Sequence, residues 1–361
     1  MISSIGIDRI RLINVAIDSI DLNRYKGHIV SGEGIEIYEI NLGQDIEVAD
    51  IDITIKGNST NEKDNYLMKL KLNRVPYIDL SIDVNAPRVL YGTNEVNISD
   101  KYDMYRLMLN IKEEFKKVGI DINLDKAIIS NFEVNYNSHN PKLLDTFKLI
   151  KRALDQGKEK VFLVDRNGKT ESLMINLSDR KIKIYNKAKQ LEDTGQIVIN
   201  KDTVRIEVST SNTMLIRKLC KSKVATIDKF IMNFEGIKLW FLGTVRKRLK
   251  IVIEKYCNSI ENEIYIRLIR GERYYNILLG VATNGDLVDM VIFDNAVKKY
   301  YKVTGKKKPN TVIKGYHRRL KEYDEILLDG EILYRKLVDN LVEINKLFDE
   351  IEVAFTTLKV S

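Results

Sequence analysis

The spacing of apolar residues changes once along this chain of 361 residues, and that change limits the fold more than any other feature. Up to about residue 210, apolar and polar residues alternate in short runs such as IEIYEINL and YLMKLKLNRV, a period typical of β-strands with one buried face. From about Asn212 onward the apolar residues recur at helical spacing. The sequence therefore predicts an α+β fold, with an antiparallel sheet and packed helices over residues 1–210 and a mainly helical domain over residues 211–361.

Two helices interrupt the strand-rich part. The first is amphipathic and is predicted over residues 100–118, with Ser99 or Asp100 as its cap. The second is predicted over residues 141–154, with Pro141 in its first turn. Around and after them the alternation predicts strands at residues 127–137, 160–165, 172–177, 181–187 and 203–209.

Positive charge is concentrated in the predicted helical domain. The whole chain has a formal charge of +8, and residues 211–320 contain 23 Lys or Arg against 9 Asp or Glu. The remainder of the chain is therefore net acidic. A basic surface attracts polyanions, so this distribution predicts that the helical domain contacts DNA. A lysine-rich composition without functional meaning is the alternative.

Composition excludes several classes of protein. The two cysteines, Cys220 and Cys257, are too few for a disulfide scaffold or a zinc site of their own. The N-terminus carries charges and lacks the apolar core of a signal peptide, and no apolar run is long enough to span a membrane. We therefore expect a cytoplasmic protein without a membrane partner.

The segment KIKIYNK, residues 181–187, is the first candidate for chemistry. On a strand, alternation places Tyr185 on one face together with three lysines, which are Lys181, Lys183 and Lys187. Nearby ammonium groups favour a phenolate and attract a phosphate, and a tyrosine that attacks a phosphodiester needs both effects. An exposed strand face with solubilising lysines is the alternative.

Two further strands carry carboxylates that suit a metal ion. In the first, Glu133 alternates with Asn131 and Asn135, which gives an oxygen-rich face suited to Mg²⁺ or Mn²⁺. In the second, Arg205 and Glu207 share one face of a β-prone segment. If these strands are neighbours, Glu133 and Glu207 meet at one cation, because two close carboxylates are costly without one. Solvated strand faces and a cross-strand ion pair are the alternatives.

A third cluster lies in the helical domain, where TGKKKPN is followed by KGYHRRL. Clustered cations around an aromatic residue suit phosphate contact and base stacking, and a solvated loop is the alternative. The residues predicted to contact DNA are Lys181, Lys183, Arg205, Lys306, Lys307, Lys308, Arg318 and Arg319. The three histidines form no His-x-His pair.

Four motifs over residues 80–210 resemble, in order and spacing, the replication initiators of filamentous phages and the related plasmid initiators of rolling-circle replication. The segment APRVLYGTN, residues 86–94, is similar to the family's Pro-x-x-x-x-Gly-His-Asn. ISNFE, residues 129–133, is similar to Ile-Ser-Arg-Ile-Asp. IYNK, residues 184–187, is similar to the Tyr-x-Lys motif, and VRIE, residues 204–207, to Val-Arg-Phe-Glu.

The resemblance implies a role for each matching position. Tyr185 becomes the nucleophile, Lys187 its phosphate-facing partner, and Glu133 with Glu207 the carboxylates at a Mg²⁺ or Mn²⁺ ion. This sequence departs from the family at Thr93, where the family has His, and at Glu133, where Asp is usual. The family's Glu-Leu after Tyr-x-Lys is Gln190-Leu191 here.

The resemblance implies a metal-dependent DNA nickase and strand transferase. Such an enzyme cuts one strand at a double-stranded origin, holds the single-stranded end on tyrosine, and leaves a 3′-hydroxyl for a host polymerase and helicase to use. Thr93 supports one alternative, a DNA-binding protein descended from a nickase that no longer cuts. A conjugative relaxase shares the chemistry but uses a His-rich metal motif that is absent from this sequence.

Overall fold

The computed structural model consists of two compact units. The first comprises residues 1–141, 174–243 and 358–361, and the second comprises residues 142–173 and 244–357. Within them the structure describes residues 5–21, 35–42, 49–56, 66–75, 77–93, 96–117, 119–139, 160–166, 169–193, 203–273, 276–277, 290–322, 327–328, 331–332 and 342–360. The functional division at residue 210 stays a prediction.

An antiparallel sheet forms the centre of the first unit. Its strands follow the order β2-β3-β4-β5-β1-β7-β11-β10-β9, and β6 pairs with β1 beyond the path. The strands of the chain, in order, are β1 Ile5–Ile20, β2 Ile35–Leu42, β3 Ala49–Lys56, β4 Tyr66–Val75, β5 Tyr77–Asn85, β6 Ile120–Asn123, β7 Ile128–Ser138, β8 Lys160–Arg166, β9 Lys169–Asn176, β10 Lys181–Asn186, β11 Val204–Thr210, β12 Leu327–Leu328 and β13 Glu331–Ile332.

Helices cover the apolar face of this sheet or follow it in the chain. They are α1 Ala86–Tyr91, α2 Lys101–Lys117, α3 Lys187–Asp193, α4 Thr213–Leu219, α5 Ile227–Met232, α6 Phe234–Ile269, α7 Met290–Val303, α8 Pro309–Glu322 and α9 Val342–Val360. Among the described residues, no helix combines the length and the apolar character that crossing a bilayer requires.

The central strands owe their burial to alternation. Ile10 on β1 pairs with Phe132 on β7, and Val134 pairs with Val208 on β11, so these apolar side chains share one face of the sheet. Phe132 packs edge-on against Phe230 of α5 at 5.1 Å and against Trp240 of α6 at 5.5 Å between ring centroids. Each such buried side chain stabilises the fold by about 1.5–3 kcal/mol. The polar residues of the same strands therefore face the opposite way, where the candidate site lies.

A β-bulge in β1 changes which residues reach that polar face. Ile7 pairs with Val134 and Arg9 pairs with Glu133, so two residues of β1 stand opposite one residue of β7. A bulge of this kind places two consecutive side chains on the same side of the sheet. Asp8 and Arg9 both reach the polar face as a result, while Ile7 and Ile10 stay in the core.

The described helices of the second unit pack through apolar residues and ion pairs. On α6, Arg246 forms an ion pair with Glu352 of α9. Phe293 of α7 and Ile351 of α9 are fully buried. The predicted helical character of the C-terminal part of the chain is present in α6 to α9, and among the described residues after 243 the short hairpin of β12 and β13 is the one sheet.

The structure confirms the α+β fold class and most of the predicted elements that it describes. The predicted helix over 100–118 is α2, which buries Leu107, Ile111 and Phe115 and leaves Tyr105 exposed. The strand predicted over 181–187 is shorter than expected, since β10 ends at Asn186 and α3 begins at Lys187. The helix predicted over 141–154 lies outside the described residues.

Gly6 gives a direct test of the sheet. A Cβ at this position would lie 2.2 Å from the backbone oxygen of Ile98, which accepts a hydrogen bond from the amide of Ile7. We expect Gly6→Ala to lower the free energy of unfolding by about 1–3 kcal/mol, because backbone must move to admit the methyl group. Urea unfolding measures this change. Gly236→Ala is the matched control, since nothing lies within 4 Å of a Cβ there; an equal loss in both variants would contradict the packing of Gly6.

Candidate functional site

Three neighbouring strands, β7, β11 and β10, bring the predicted site residues to one face of the sheet. On β10, Lys183 pairs with Glu207 of β11, and Tyr185 pairs with Arg205. Glu207 in turn pairs with Asn135 of β7. Matched alternation across these pairs places Glu133, Glu207 and Tyr185 together on the polar face.

Three carboxylates form the centre of the site. One oxygen from each of Asp8, Glu133 and Glu207 lies within 4.8 Å of the other two. The side chain of Glu207 is 5% exposed and that of Glu133 is 14% exposed. Burial and the neighbouring Glu207 raise the pKa of Glu133 to about 7, and burial together with Asp8 raises the pKa of Glu207. The cluster therefore resists holding three negative charges without a cation.

Lys183 supplies part of the opposing charge. Its Nζ lies 3.7 Å from Oε2 of Glu207 and 3.9 Å from Oε1 of Glu133. Burial alone would lower the pKa of Lys183, but Glu133 and Glu207 raise it, and the net shift is upward. Lys183 is therefore a cation of the carboxylate cluster, although it was predicted as a DNA contact; 38% of its side chain remains exposed.

Tyr185 contacts the same cluster through its hydroxyl group, which donates a hydrogen bond to Oε1 of Glu207. Burial and the Glu207 carboxylate raise the pKa of Tyr185 well above its usual value. The prediction that three lysines lower this pKa is wrong, because Lys183 faces the carboxylates, Lys181 lies exposed at the start of the strand, and Lys187 has left the strand. In this arrangement Tyr185 is a neutral phenol.

Lys187 lies beneath Tyr185 and not beside it. As the first residue of α3 its side chain is almost fully buried, and its Nζ donates to Oε1 of Gln190 at 2.8 Å. The same Nζ lies 5.8 Å from the centre of the Tyr185 ring. Burial and the nearby Arg205 lower the pKa of Lys187 to about 7. Lys187 is thus a buried amine close to the phenol, which the predicted strand alternation did not anticipate.

Arg205 has a structural position. Its side chain is completely buried, and Nη1 forms an ion pair with Oδ1 of Asp8 at 3.0 Å. Nε donates to Oδ1 of Asn137 at 2.8 Å, and Nη2 donates to Oδ1 of Asn97 at 3.4 Å. The prediction of Arg205 as a DNA-contacting cation does not fit this burial. Its guanidinium instead holds Asp8 in the cluster.

Asn135 indicates that the cluster suits a metal ion. Asn135 lies on the same strand as Glu133 and pairs with Glu207 of β11; its side chain is fully buried, yet neither of its polar atoms has a hydrogen-bond partner among the described residues. A buried amide without partners costs free energy, as does a group of close carboxylates. Oxygen donors of both kinds are what Mg²⁺ and Mn²⁺ take as ligands. Asp8, Glu133 and Glu207 are therefore the residues that could hold such an ion, with Asn135 beside them.

The remaining predicted residues lie elsewhere in the structure. Lys181 is exposed on β10. In the second unit Lys306, Lys307 and Lys308 are exposed in the turn before α8, and Arg318 is exposed on that helix. Arg319 belongs to α8, but its side chain lies outside the described residues.

Thr93 and His139 both lie outside the carboxylate cluster. Thr93 follows Gly92, the residue that ends α1 with a φ of 72°. His139 lies exposed after the end of β7, with Nδ1 3.5 Å from Oγ1 of Thr203. Neither residue belongs to the group of Asp8, Glu133 and Glu207.

Sequence reasoning missed Asp8, although a signal for it exists. Apolar residues in β1 occur at Ile5 and Ile7 and then at Ile10 and Leu12, so the alternation slips by one between them. Such a slip is the sequence mark of a bulge, and it places Asp8 on the polar face. Asn135 was recognised as an oxygen donor, but its lack of partners depends on the register of three strands.

Comparisons with known proteins add little to this geometry. No family profile and no curated protein sequence matches the chain. A search of solved structures finds similarity to a rolling circle replication initiator protein from Geobacillus stearothermophilus, at 11% sequence identity over 60% of this chain and 77% of that chain, with a TM-score of 0.31. The function proposed below therefore rests on the residues of the site.

Glu133 provides a test of the charge balance in the cluster. Because its folded pKa of about 7 exceeds the usual carboxyl value, the folded chain binds an extra proton between about pH 4.5 and pH 7, and stability falls as pH rises through that window. We expect Glu133→Gln to remove this loss. In EDTA, its advantage over the natural chain should grow by about 2 kcal/mol between pH 5 and pH 8.

Urea unfolding at the two pH values measures this difference. Glu113→Gln, at an exposed position on α2, is the matched control and should show no such growth. An advantage for Glu133→Gln that is the same at both pH values would contradict the repulsion inferred for the cluster.

Proposed function

We propose that this chain is a metal-dependent DNA nickase that initiates rolling-circle replication through a phosphotyrosine at Tyr185. The observation that carries the proposal is the hydrogen bond from the Tyr185 hydroxyl to Glu207, a carboxylate of the candidate metal cluster. A nucleophile and a cation site that share one carboxylate can act on the same phosphate. The ordered motifs of the sequence point to the same chemistry.

The charge of the site limits what it can bind. A phosphodiester is an anion, and three close carboxylates would repel it. A divalent ion held by Asp8, Glu133 and Glu207 would, together with Lys183, offset that negative charge, and it would polarise the scissile phosphate as a Lewis acid. Mg²⁺ and Mn²⁺ are the ions that this oxygen donor set favours.

Tyr185 supplies the nucleophile. Its phenolic oxygen attacks phosphorus in line, the bond from phosphorus to the 3′ oxygen breaks, and a 5′-phosphotyrosine forms. Glu207 is placed to take the phenolic proton, and the departing 3′ oxygen becomes a hydroxyl by taking a proton from solvent. Because no water attacks phosphorus, the bond energy is retained and the reverse step rejoins the strand.

Two lysines flank this step. Lys183 lies on the exposed side of the carboxylate cluster, where its ammonium can also face a phosphate. Lys187 lies within 5.8 Å of the Tyr185 ring centre and is the candidate for steadying the phenol during attack. Fixed positive groups near developing negative charge lower a reaction barrier.

The site favours catalysis over the alternative of a DNA-binding protein that no longer cuts. Burial of three carboxylates around a tyrosine hydroxyl is costly, and a role in DNA binding alone gives no reason to keep it. Asp8 would supply an oxygen ligand for the ion in place of the His that the family has at the position of Thr93. The substrates in this proposal are a double-stranded origin and its single-stranded nick site. A host polymerase and a helicase act after the cut, in the cytoplasm.

Tyr185→Phe tests the nucleophile. The variant should lose nicking and the covalent adduct, because Phe lacks the attacking oxygen, while stability falls by only about 1 kcal/mol with one lost hydrogen bond. A supercoiled plasmid carrying the replicon's own origin, run on a denaturing gel after incubation with Mn²⁺, reports both products. Tyr91→Phe is the matched control and should keep full activity, since its hydroxyl bonds to Asp103 on α2. An adduct on the Tyr185 variant would place the nucleophile elsewhere.

Asp8→Asn tests the metal site. Loss of a ligand charge should weaken Mn²⁺ binding roughly tenfold or more and reduce nicking at low Mn²⁺, with partial rescue at high Mn²⁺. Isothermal titration and the plasmid assay measure the two effects. Asp18→Asn, at an exposed position on the same strand, should change neither. Full nicking by the natural chain in excess EDTA would contradict the metal requirement.

A further inference from the structure

The turn between α7 and α8 lies in the most basic stretch of the chain. Residues 295–321 contain ten Lys or Arg and no Asp or Glu. Within this stretch Lys302, Lys307, Lys308 and Lys314 are all exposed. A surface with this charge is complementary to a polyanion.

The turn between α7 and α8 has a defined backbone conformation. Gly305 adopts a φ of 66° just after the end of α7, and the amide of Lys306 donates to the carbonyl of Tyr301 at 3.0 Å, as in a Schellman motif. The ammonium of Lys306 lies 4.7 Å from the centre of the Tyr300 ring and donates to its hydroxyl at 2.7 Å. Pro309 then begins α8 after a turn of five residues. The turn therefore sets α8 at a defined place relative to α7.

One side of α7 is anchored within its own unit. Lys299 lies 3.7 Å from Oε1 of Glu261 on α6, donates to Oδ1 of Asn262 at 2.7 Å, and lies 5.1 Å from the ring centre of Tyr265. Phe293 and Val297 of α7 are fully buried. These contacts fix α7 against α6, and the turn joins α8 to the fixed helix.

The exposed face of α8 carries side chains of the types that can pair with base edges. Asn310, Thr311, Lys314 and Arg318 are exposed, and with Gly315 they fall within about 140° of the helix circumference, away from the buried Ile313. Asn pairs with adenine, Lys and Arg with guanine, and Thr with either, through base edges in the major groove. A helix of 14 residues is about 21 Å long and about 10–12 Å wide, which matches a groove about 12 Å wide.

We infer that α7, the turn and α8 form a helix-turn-helix element that binds duplex DNA, with α8 in the major groove. In this arrangement Lys302, Lys307 and Lys308 contact phosphates, and the outer face of α8 reads the sequence. The inference deepens the proposed function by naming the part of the chain that selects the duplex origin, and it rests on that function for the identity of the DNA.

Two other anionic partners fit the described side chains less well. Single-stranded DNA is bound by exposed aromatic rings on which bases stack, and the described outer face of α8 carries none. A membrane surface takes an amphipathic helix with an apolar outer face, whereas amide, hydroxyl and cationic groups occupy this one. Both partners become outcomes of the test.

The test of phosphate contact uses full-length protein carrying Tyr185→Phe, so that binding is measured without cutting. Fluorescence anisotropy reports binding to a labelled 30-base-pair duplex of mixed sequence, to its single strand, and to vesicles of phosphatidylserine and phosphatidylcholine. The triple change Lys302→Gln, Lys307→Gln and Lys308→Gln should weaken duplex binding at least roughly tenfold at low salt and lessen its salt dependence. The same change at Lys116, Lys218 and Lys223, all exposed in the first unit, is the matched control.

The test of sequence reading uses selection of tight-binding duplexes from a randomised pool. Asn310→Ala, Lys314→Ala and Arg318→Ala should each relax the preference at distinct base pairs, with losses of about 5- to 100-fold on the selected duplex. Gly315→Leu keeps every charge, meets open space in the folded chain, and should block close approach to the groove. An unchanged melting temperature shows that the variant is folded.

The outcomes separate cleanly. Equal loss in the two lysine triples, or full duplex affinity in Gly315→Leu, would overturn the inference. Tighter binding of the protein with unchanged α8 to single strands or to vesicles than to the duplex would also overturn the inference. Failure of the nickase proposal looks different, because the chain would then bind the duplex through α8 and leave it uncut.

Discussion

The ion pair between Arg205 and Asp8 is the interaction on which the rest of the site depends. Both groups are buried, and each would be costly alone, so removing either partner leaves an uncompensated charge inside the sheet. The pair fixes Asp8 next to Glu133 and Glu207, and this places three carboxylates within 4.8 Å of one another. Lys183 balances part of their charge from the exposed side. The carboxylate charge that Lys183 does not balance leaves an acidic centre that a divalent cation would neutralise.

The apolar face of the sheet forms the core, and the polar face carries the candidate site. Phe132 and Val134 pack on the apolar face, while Glu133 and Asn135, their immediate neighbours in β7, face the site. A register shift of one residue would exchange these faces, so the core packing of Phe132 against Phe230 and Trp240 also holds the carboxylates in place. The bulge at Asp8 interrupts the alternation of β1, and it adds a carboxylate to the polar face without removing Ile7 or Ile10 from the core.

The sequence predicts this fold where the pattern is long and regular, and fails where tertiary contacts decide. The α+β class, α2 and the strands carrying Glu133 and Glu207 follow from periodicity. Lys187 was placed on a strand because KIKIYNK alternates throughout, but the chain turns into α3 once Asn186 leaves the sheet. Arg205 was predicted to contact DNA, but its side chain is buried in an ion pair with Asp8, which lies 197 residues away in the chain. Phenolate formation at Tyr185 was expected from lysines that, in the fold, face other partners.

The proposal that Tyr185 forms a covalent link to DNA is tested most directly by identifying the residue that carries the link. A single-stranded oligonucleotide spanning the nick site, with sulfur in place of the bridging 3′ oxygen at the scissile phosphate, releases a thiol that rejoins poorly and so traps the intermediate. Mass spectrometry of the digested complex, formed in the presence of Mn²⁺, should find the 5′-phosphate on the peptide that contains Tyr185. Linkage to any other residue, or cut products bearing a free 5′-phosphate and no linked peptide, would contradict the account.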